Sequence, residues 1–493
     1  MKQVFNPYLP LDEYIPDAEP HVFGDRVYIY GSHDKENGEK FCMLDYVTYS
    51  ASIYDLKNWR YEGVIYKASQ DPEYDKYQYM YAPDVVRGND GRYYLYYSMA
   101  GEHPHGCSYK LSVAVSDLPN GKFEYLGYVK NPDGTPLSDY LVFDPALIND
   151  NGKIRLYYGM WFDFIDDEKL SREDIIKKEL EMFPKKTREQ IENTPDGIMG
   201  AVTVELCDDM LTVKSKPYHI IPESVKGTEF EEHPFFEASS IRRVGEKYYF
   251  VYSSYKNHSL AYATSDYPDR DFKYGGVIIS NGDIGLNGRC DEDRLMRTGN
   301  IHGGIEKING KWYIFYHRHT HKTEFSRQAC AEAIDILADG SIPQVEITSC
   351  GLNGGALVAD GEYPAPICCN LTNGKMPHFA CVGVRLPHIT SGNGERYLAE
   401  IENGTLVGYK YFDFKSVKKI GVVFRSADVA PSGKLFLKLG IDGDSVGDID
   451  IYARSEWTRS ECDVSIQDGI YPLYFEYRGD GAIEIKDFYF IAG

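Results

Sequence analysis

The segment Gly310-Lys311-Trp312-Tyr313-Ile314-Phe315-Tyr316 is a turn glycine followed by aromatic and β-branched residues, the composition that β-strands prefer. Four other segments repeat this pattern, at residues 24–30, 91–97, 152–158 and 245–252. Successive glycines are separated by 67 residues (Gly24 to Gly91), 61 (to Gly152), 93 (to Gly245) and 65 (to Gly310). The interval of 93 contains a charged, helix-like insertion. A strand hairpin that recurs five times at long intervals predicts a β-propeller.

One ionisable residue lies at nearly the same distance before each turn glycine. Asp17 and Asp84 lie seven residues before their glycines, and Asp144, Glu237 and His302 lie eight residues before theirs. Because the innermost strands of a propeller line its central channel, we expect these side chains to meet at one mouth of that channel. Repulsion and lost hydration raise the pKa values of grouped carboxyl groups, a cost typical of catalytic sites. Structural loop carboxylates are the alternative, and they would tend to keep one residue type.

Chain length and composition indicate the number of domains and exclude some classes of partner. A chain of 493 residues is too long for one core, so two domains are expected. The net charge of −22 argues against nucleic acid and anionic membranes as partners, because both require a basic surface. The 42 tyrosines suit half-exposed strands and clefts that stack on sugar rings.

The N-terminal residues and the cysteines indicate the compartment. Residues 1–7 contain no apolar run long enough for a signal peptide, which predicts a cytoplasmic location. The ten cysteines include no CxxC pair, so we expect reduced thiols rather than a disulfide framework or a zinc site.

The insertion between the third and fourth hairpins is predicted to contain short helices. Ser171 to Asp174 resembles a capping box, and Thr187 to Gln190 has the signature of a second helix start. A solvated decoration is the favoured interpretation, and a lid over the channel mouth is the alternative.

Short motifs around the ionisable residues together resemble glycoside hydrolase family 43. They are Ile-Pro-Asp-Ala-Glu-Pro at 15–20, Tyr-Ala-Pro-Asp at 81–84, Phe-Asp-Pro-Ala at 143–146, Glu-Ala-Ser-Ser at 237–240, and Gly-Asn-Ile-His-Gly at 299–303 before Tyr-His-Arg-His at 316–319. The resemblance covers about residues 4–345. It implies a five-bladed propeller of inverting enzymes that act on plant polysaccharides, commonly as α-L-arabinofuranosidases, β-xylosidases or arabinanases.

The resemblance assigns catalytic roles to three of these residues. Asp17 matches the general base, Glu237 the general acid, and Asp144 the carboxylate that tunes and orients the acid. Inverting hydrolysis needs one ionised and one protonated carboxyl group about 6.5–9.5 Å apart, with room for a water between them. Asp17 and Glu237 come from the first and fourth repeats, which are not neighbours in a ring of five and could supply such a gap.

Five further residues are candidates for substrate binding. The resemblance places Asp84 in the substrate pocket and Arg327 at the side of the sugar site that the fifth blade closes. His302 matches an axial histidine, which in some relatives holds a calcium ion or a water. Phe236 and Trp161 could stack on a sugar ring, and core packing is an equally good interpretation of both.

A domain boundary is expected near residues 340–370, which divides the chain into 1–345 and 346–493. Short strands without helical periodicity follow, and they predict an antiparallel β-sandwich. The predicted strands are Tyr397 to Ile401, Leu406 to Phe412, Lys419 to Phe424, Lys434 to Leu439, Asp448 to Tyr452, Gly469 to Tyr477 and Ala482 to Phe490. The start and end of this region resemble carbohydrate-binding module family 6, which implies Glu400, Glu402 and Asp487 as candidate ligands of a structural calcium.

The sequence therefore predicts an all-β enzyme, a five-bladed β-propeller followed by a β-sandwich. The predicted activity is removal of terminal arabinofuranose or xylose from arabinoxylan-type polysaccharide or its oligosaccharides, without an organic cofactor. A non-catalytic sugar-binding propeller and an endo-acting arabinanase are the alternatives. The first would not need Asp17, Asp144 and Glu237 together.

Overall fold

The computed structural model describes residues 2–102, 106–138, 140–160, 171–182, 187–192, 201–222, 225–255, 258–428 and 431–493. Regular structure in these ranges is almost entirely β. The two helices, α1 (Arg172–Met182) and α2 (Arg188–Glu192), belong to the predicted insertion. Capping bonds from the Asp174 amide to Ser171 Oγ and from the Gln190 amide to Thr187 Oγ1, both 3.2 Å, confirm the predicted helix starts. None of the helices described has the length and apolar character needed to cross a membrane.

Five antiparallel sheets form the blades of the predicted propeller. Blade 1 contains β1 (Glu19–Phe23), β2 (Arg26–Tyr30), β3 (Tyr46–Ser52) and β4 (Asp55–Tyr66). Blade 2 contains β5 (Tyr79–Met80), β6 (Asp84–Arg87), β7 (Tyr93–Ala100), β8 (Cys107–Ser116) and β9 (Glu124–Tyr128). Blade 3 contains β10 (Ala146–Asp150), β11 (Lys153–Tyr158), β12 (Val202–Glu205) and β13 (Tyr218–His219). Blade 4 contains β14 (Phe235–Val244), β15 (Lys247–Ser254), β16 (Ser259–Ser265) and β17 (Lys273–Ser280). Blade 5 contains β18 (Ile305–Ile308), β19 (Lys311–His319) and β20 (Arg327–Ile334).

The inner strands of the blades form a ring. They are β1, β6, β10, β14 and β18, which contact one another in that order, and β18 contacts β1. The ring is therefore closed, and the prediction of a five-bladed propeller is confirmed.

The N-terminal segment covers the outer edge of blade 5. The Tyr8 amide donates to the Ala329 carbonyl at 3.3 Å. The Asn6 side chain donates to the Ala331 carbonyl at 3.0 Å and accepts from the Ala331 amide at 3.1 Å. Strand β20 would otherwise present unpaired backbone groups to solvent, so this segment joins the beginning of the chain to the last blade.

The hairpin loops set the height of each inner-strand residue in the channel. The five turn glycines have φ between 62° and 89°, a conformation that glycine adopts without strain. In blades 1, 3, 4 and 5, the hairpin loop between the inner strand and the next strand has two unpaired residues. In blade 2 this loop has five, residues 88–92 between Arg87 and Tyr93. Counting from the glycine therefore misplaces Asp84. Asp84 lies three residues before Arg87, the last paired residue of its inner strand. Asp17 lies six residues before Phe23, the last paired residue of the inner strand in blade 1, so Asp84 is deeper in the channel than Asp17.

The remaining strands form the predicted β-sandwich. They are β21 (Leu357–Val358), β22 (Gly361–Pro364), β23 (Asn370–Thr372), β24 (His388–Gly392), β25 (Glu395–Ile401), β26 (Leu406–Phe414), β27 (Val417–Ser426), β28 (Ser432–Lys438), β29 (Ser445–Tyr452), β30 (Thr458–Asp463), β31 (Gly469–Asp480) and β32 (Ile483–Ala492). One sheet has the order β21-β26-β31-β28-β29 with β23 beside β26, and the other has the order β24-β25-β32-β27-β30 with β22 beside β32. All seven predicted strands are present. Their inward side chains, such as Leu398, Phe475 and Phe488, form one buried core.

Buried charged side chains join the sandwich to the propeller. Arg318 of β19 donates to the Cys368 carbonyl at 2.6 Å and to the Pro366 carbonyl at 2.5 Å. Lys410 of β26 lies 2.8 Å from Asp283 and 2.9 Å from Glu346. Each buried cation thus has acceptors from the neighbouring part of the chain, which fixes the two parts against each other.

Glu332 is buried where the N-terminal segment meets blade 5. Its carboxylate accepts hydrogen bonds from the Asn6 side chain at 2.9 Å, the Thr348 amide at 2.7 Å and the Thr348 hydroxyl at 2.8 Å. Burial nevertheless raises the pKa of Glu332 from 4.5 to about 8. Because the folded protein binds this proton more tightly than the unfolded chain, the stability from this group is fully present below pH 4.5 and is lost as the pH rises towards 8.

We expect Glu332→Gln to raise the melting temperature at pH 9 by about 2 °C or more, because the neutral amide removes the cost of a buried charge. At pH 5 the variant and the wild type should melt within about 1 °C of each other. Thermal denaturation followed by circular dichroism at the two pH values measures this difference, with the exposed Glu246→Gln as the matched control. Equal melting temperatures for Glu332→Gln and wild type at pH 9 would contradict the prediction.

Candidate active site

A cavity of about 640 Å³ lies at one end of the propeller channel. Its described lining includes six of the residues predicted from the sequence: Asp17, Asp144, Phe236, Glu237, His302 and Arg327. They come from the first, third, fourth and fifth blades. The closed ring thus brings together residues that are as far apart in the chain as Asp17 and Arg327.

Asp17 is held in a buried network of opposite charge. Arg327 donates from Nη1 to Asp17 at 3.0 Å and from Nε and Nη2 to Asp34 at 2.8 and 3.0 Å. The Arg327 guanidinium and the neighbouring histidines hold the pKa of Asp17 well below its usual range, although burial acts in the opposite direction. The contact with Arg327 therefore favours the ionised form of Asp17.

Asp17 and Asp144 both have an unusual backbone conformation. Their φ angles are 59° and 45°, in the left-handed region that aspartate tolerates better than most residues. Each lies two residues before its inner strand, β1 or β10, so the chain turns there before it enters the blade. Such conformations are typical of functional positions, where the surrounding contacts outweigh the local strain.

His317 of β19 supports Asp17 from behind the cavity. Its Nδ1 accepts from the Asp17 backbone amide at 3.2 Å, so Nε2 carries the proton and faces the Asn300 carbonyl at 3.0 Å. Burial lowers the pKa of His317, which keeps the ring neutral. These contacts hold the Asp17 backbone in place.

Asp144 and Glu237 lie on the other side of the cavity and share one electrostatic environment. Asp144 is buried and accepts from the Ala238 amide at 2.9 Å. Burial, with the charges of Glu237 and Asp17, raises the pKa of Asp144 well above its usual range. Arg327 forms its hydrogen bonds with Asp17 and Asp34 rather than with Asp144. Burial and these charges therefore favour the protonated form of Asp144.

His302 completes this side of the cavity. Its Nδ1 lies 3.5 Å from Asp144, and burial lowers the pKa of His302 to about 4. The ring is neutral at physiological pH. Its Nε2 is buried and has no hydrogen-bond partner among the described residues.

The walls of the cavity are mainly aromatic and aliphatic. Tyr81, Phe41, Phe143 and Leu141 line it, and the Phe41 ring lies 4.7 Å from the Arg327 guanidinium. Sequence reasoning missed these residues. Strand register could have found Tyr81, since it lies six residues before Arg87 and so occupies in blade 2 the height of Asp17 in blade 1.

Comparisons with known proteins agree with this geometry. The model of the glycosyl hydrolases family 43 matches residues 6–342. The chain belongs to glycoside hydrolase family 43. A xylosidase/arabinosidase from Thermoclostridium stercorarium is 44% identical to this glycoside hydrolase over 505 aligned residues, which cover 99% of the chain and 98% of the relative.

Solved structures show the same fold. The RS223 β-xylosidase is 25% identical with a TM-score of 0.51, covering 68% of this chain and 96% of that one. A family 43 enzyme from Xanthomonas citri complexed with xylose is 23% identical with a TM-score of 0.53, covering 70% of this chain and 93% of that one. The chain is therefore an O-glycoside hydrolase with a five-bladed propeller.

The helical insertion of this hydrolase packs behind the cavity wall. Ile176 of α1 and Ile191 of α2 are buried against Leu141 and Phe143, two of the lining residues. The described part of the insertion thus supports the wall. The predicted stacking residue Trp161 lies outside the described residues.

The C-terminal part also reaches the catalytic cavity. Phe379 lines the cavity although 64% of its side-chain surface is exposed. Its segment is tied to the blade 5 loop by hydrogen bonds from the Cys381 amide to the Lys322 carbonyl at 2.9 Å and from the Ala380 amide to Glu324 at 3.2 Å. Sequence analysis missed Phe379, because no local motif connects it to the distant propeller.

Asp84 does not belong to the described lining of the cavity. Its carboxylate is fully buried and accepts from the Leu147 amide at 2.6 Å and from the Val85 amide at 2.6 Å. His21 Nε2 lies 2.6 Å from Asp84 Oδ1, the oxygen that also accepts from the Val85 amide. The five-residue loop of blade 2 lowers Asp84 out of reach of the cavity, so direct contact with substrate is not supported.

The structure gives the predicted calcium ligands of the sandwich other partners. Glu400 lies 2.6 Å from Lys322, Glu402 lies 2.5 Å from Arg385, and Asp487 lies 3.9 Å from Lys486. These three carboxylates do not converge on one point within the described residues. His302 fits a calcium ion poorly as well, because Ca²⁺ prefers oxygen ligands and the nearest carboxyl group, Asp144, favours its protonated form. A calcium requirement stays a prediction.

We expect Arg327→Lys to move the acid limb of the kcat/KM profile to higher pH. A lysine cannot contact Asp17 and Asp34 with the same fork, so the pKa of Asp17 rises and the carboxylate is protonated at a pH where the wild type stays ionised. The profile on an aryl pentoside, recorded from pH 4 to 8, measures the shift. Arg318→Lys is the matched control, since this buried arginine donates to carbonyls at the sandwich interface. An unchanged acid limb in Arg327→Lys would contradict the prediction.

Proposed function

We propose that this enzyme removes terminal pentoses, α-L-arabinofuranosyl or β-D-xylosyl, from arabinoxylan-type chains or their oligosaccharides with inversion of configuration. One observation carries the proposal. A single cavity contains one carboxylate held ionised by Arg327 and, from other blades, Glu237 together with Asp144, whose pKa is raised well above its usual range. The relative named a xylosidase/arabinosidase, which matches the whole chain, supports the choice of pentoses.

Asp17 is the general base in this proposal. Activation of a water requires a carboxylate that is ionised at the working pH, and the Arg327 contact at 3.0 Å supplies that state. Asp34 takes up the other guanidinium nitrogens, so Arg327 is held in place and cannot turn towards the acid side. The His317 contact with the Asp17 amide fixes the backbone from which the carboxylate projects.

Glu237 is the general acid, and Asp144 positions it. The leaving oxygen needs a proton donor that is still protonated near neutral pH. Asp144 is buried away from solvent and bonded to the amide of Ala238, the residue directly after Glu237, so it is tied to the strand that carries the acid. Repulsion between the two carboxylates keeps a proton on the pair, and in this proposal Glu237 is the member that delivers it to the leaving oxygen.

The shape of the cavity favours a chain end over the middle of a polymer. Its volume of about 640 Å³ lies in the range of about 300–1,000 Å³ that small-molecule sites occupy. Tyr81, Phe143 and Leu141 form apolar walls around the carboxyl groups. Exo action is therefore preferred to the endo-arabinanase alternative. A purely sugar-binding propeller would not need a buried base and a buried proton donor in the same cavity.

We expect Asp17→Ala and Glu237→Ala each to lower kcat on xylobiose or an arabinoxylan oligosaccharide by a factor of about 10² or more, since each removes a proton-transfer group. The two variants should differ on a dinitrophenyl pentoside, whose leaving group needs no protonation. Glu237→Ala should recover most of its kcat there, and Asp17→Ala should not. Steady-state kinetics on both substrate types measures this.

Arg318→Lys, at the sandwich interface and outside the described lining of the cavity, serves again as the reference for indirect effects. Circular dichroism checks that each variant is folded. Full activity in both alanine variants, or equal recovery of both on the activated substrate, would contradict the assigned roles.

We propose that Phe379 contacts the leaving group, the second sugar unit of the oligosaccharide. It reaches the cavity from the C-terminal part, and an aromatic ring at a mouth is suited to stacking on the second sugar unit. We expect Phe379→Ala to raise KM for xylobiose about two- to tenfold, as loss of about 0.5–1.5 kcal/mol of aromatic contact implies. On a methyl pentoside, whose leaving group is methanol, the KM values of the variant and the wild type should agree within about twofold, because methanol is too small to contact the Phe379 ring.

The matched control is Val382→Ala, an exposed apolar residue of the same segment that is not part of the described lining. Kinetics of the three proteins on both substrates decides the question. An equal rise in KM for both substrates would show that Phe379 only maintains the segment.

A further inference from the structure

A second group of ionisable side chains lies on the propeller axis, deeper in the channel than the catalytic carboxyl groups. We call Glu19, His21 and Asp84 the axial triad. One ligand atom from each, a carboxylate oxygen or an imidazole nitrogen, lies within 4.8 Å of the other two. Glu19 is 1% exposed and Asp84 is fully buried. Within the described residues, no other set of three such side chains converges in this way.

Two buried oxygens beside the triad have no hydrogen bond. They are Glu19 Oε1 and Ser240 Oγ, which lie near each other but are not paired in the geometry that a hydrogen bond requires. Gly304 packs directly against both side chains. A Cβ atom added there would lie 2.4 Å from Ser240 Oγ and 2.9 Å from both Glu19 oxygens. Buried oxygens without a hydrogen bond are costly unless something binds them.

One cation of the protein serves several carboxyl groups around the triad. Arg242 lies 2.9 Å from Glu19 Oε2 and 3.1 Å from Glu306, so one guanidinium serves two carboxyl groups. Asp84 is a third carboxyl group, and its ionisable partner is His21. A bound cation would stabilise such a buried group of carboxylates.

Solvent can reach the triad from the end of the channel opposite to the catalytic cavity. A second cavity of about 500 Å³ lies at the hairpin end of the inner strands and is lined by His21, Arg242 and Glu306. A small ion could enter through this cavity without passing the substrate site.

We propose that the axial triad binds one divalent transition-metal ion, Zn²⁺ or Mn²⁺, through Glu19, His21 and Asp84. One imidazole and two carboxylates form a mixed nitrogen and oxygen donor set, which suits these ions better than Ca²⁺ or Mg²⁺. Glu19 offers its unpaired Oε1, since Arg242 occupies Oε2. The ion replaces the proton between His21 Nε2 and Asp84 Oδ1, now 2.6 Å apart, so the imidazole turns slightly to admit it.

This site is distinct from the catalytic cavity. His302 lies on the cavity lining with its Nδ1 3.5 Å from Asp144, and it belongs to the layer of the catalytic carboxyl groups. The axial triad joins blades 1 and 2 one layer deeper. A metal there would hold the first two inner strands together and balance the charge below the site without contacting substrate.

Metal binding to the full-length protein tests the proposal. Protein freed of metal with a chelator is titrated with ZnCl₂, MnCl₂ and CaCl₂ by isothermal calorimetry, and bound metal is counted by mass spectrometry after dialysis. We expect one Zn²⁺ or Mn²⁺ per chain, at least tenfold weaker Ca²⁺ binding and a higher melting temperature with the metal. Failure of both Zn²⁺ and Mn²⁺ to bind, or a preference for Ca²⁺, would overturn the proposal.

Three variants locate the ion. His21→Ala should abolish binding, whereas Asn89→Ala, on the wall of the same second cavity, should bind as the wild type does. His302→Ala should also bind normally. Loss of binding in His302→Ala with retention in His21→Ala would place the ion in the catalytic cavity and overturn the proposal.

Anomalous diffraction from a crystal of wild-type protein soaked in ZnCl₂ gives the position without any variant, in case His21→Ala does not fold. A peak between Glu19, His21 and Asp84 supports the proposal, and a peak elsewhere with none on the axis refutes it. Both readouts are independent of turnover, so they do not depend on the proposed pentosidase activity.

Discussion

The buried ion network of Arg327 with Asp17 and Asp34 is the interaction on which the site depends. Arg327 begins the last strand of blade 5, while both aspartates belong to the first repeat, so the network spans the junction where the ring closes. A buried arginine is tolerated when its N–H groups meet carboxylates in good geometry. The same contacts that close the propeller therefore keep one carboxylate of the cavity ionised.

On the opposite side of the cavity, the surroundings of Asp144 favour its protonated form. Within the part of the chain that the structure describes, Asp144 has an amide and a neutral histidine as its direct contacts, so burial and the charge of Glu237 dominate its titration. The pKa values of Asp17 and Asp144 thus differ because Arg327 contacts Asp17 and does not hydrogen-bond to Asp144. This separation is what acid and base catalysis in a single cavity requires.

The sequence was sufficient for the fold class because each hairpin has a local signature, a glycine with positive φ before a strand of aromatic residues. It was also sufficient to bring Asp17, Asp144, Glu237 and His302 together, since their hairpins are built alike. It failed for Asp84, because the length of the blade 2 loop changes the strand register, and a fixed count from the glycine cannot detect that. Tyr81, which does line the cavity, follows once the pairing of Arg87 with Tyr93 is known.

Other features of the site depend on contacts that no local pattern encodes. Asp34 and Phe379 reach the cavity region through tertiary packing, the first by bonding Arg327 and the second by crossing from the C-terminal part. The resemblance of the sandwich to a carbohydrate-binding module likewise suggested calcium ligands on Glu400 and Glu402, whereas the structure pairs these residues with Lys322 and Arg385. Charged residues near strand ends are ambiguous until their partners are known.

The central claim is that a water activated by Asp17 attacks the sugar from the side opposite to Glu237. The anomeric configuration of the first product tests it most directly, and proton NMR can follow this during hydrolysis of an aryl β-D-xyloside or α-L-arabinofuranoside before mutarotation. The account predicts that the product appears first with the anomeric configuration inverted. Initial formation of the retained anomer would show that a carboxylate attacks the sugar itself, and it would contradict the account.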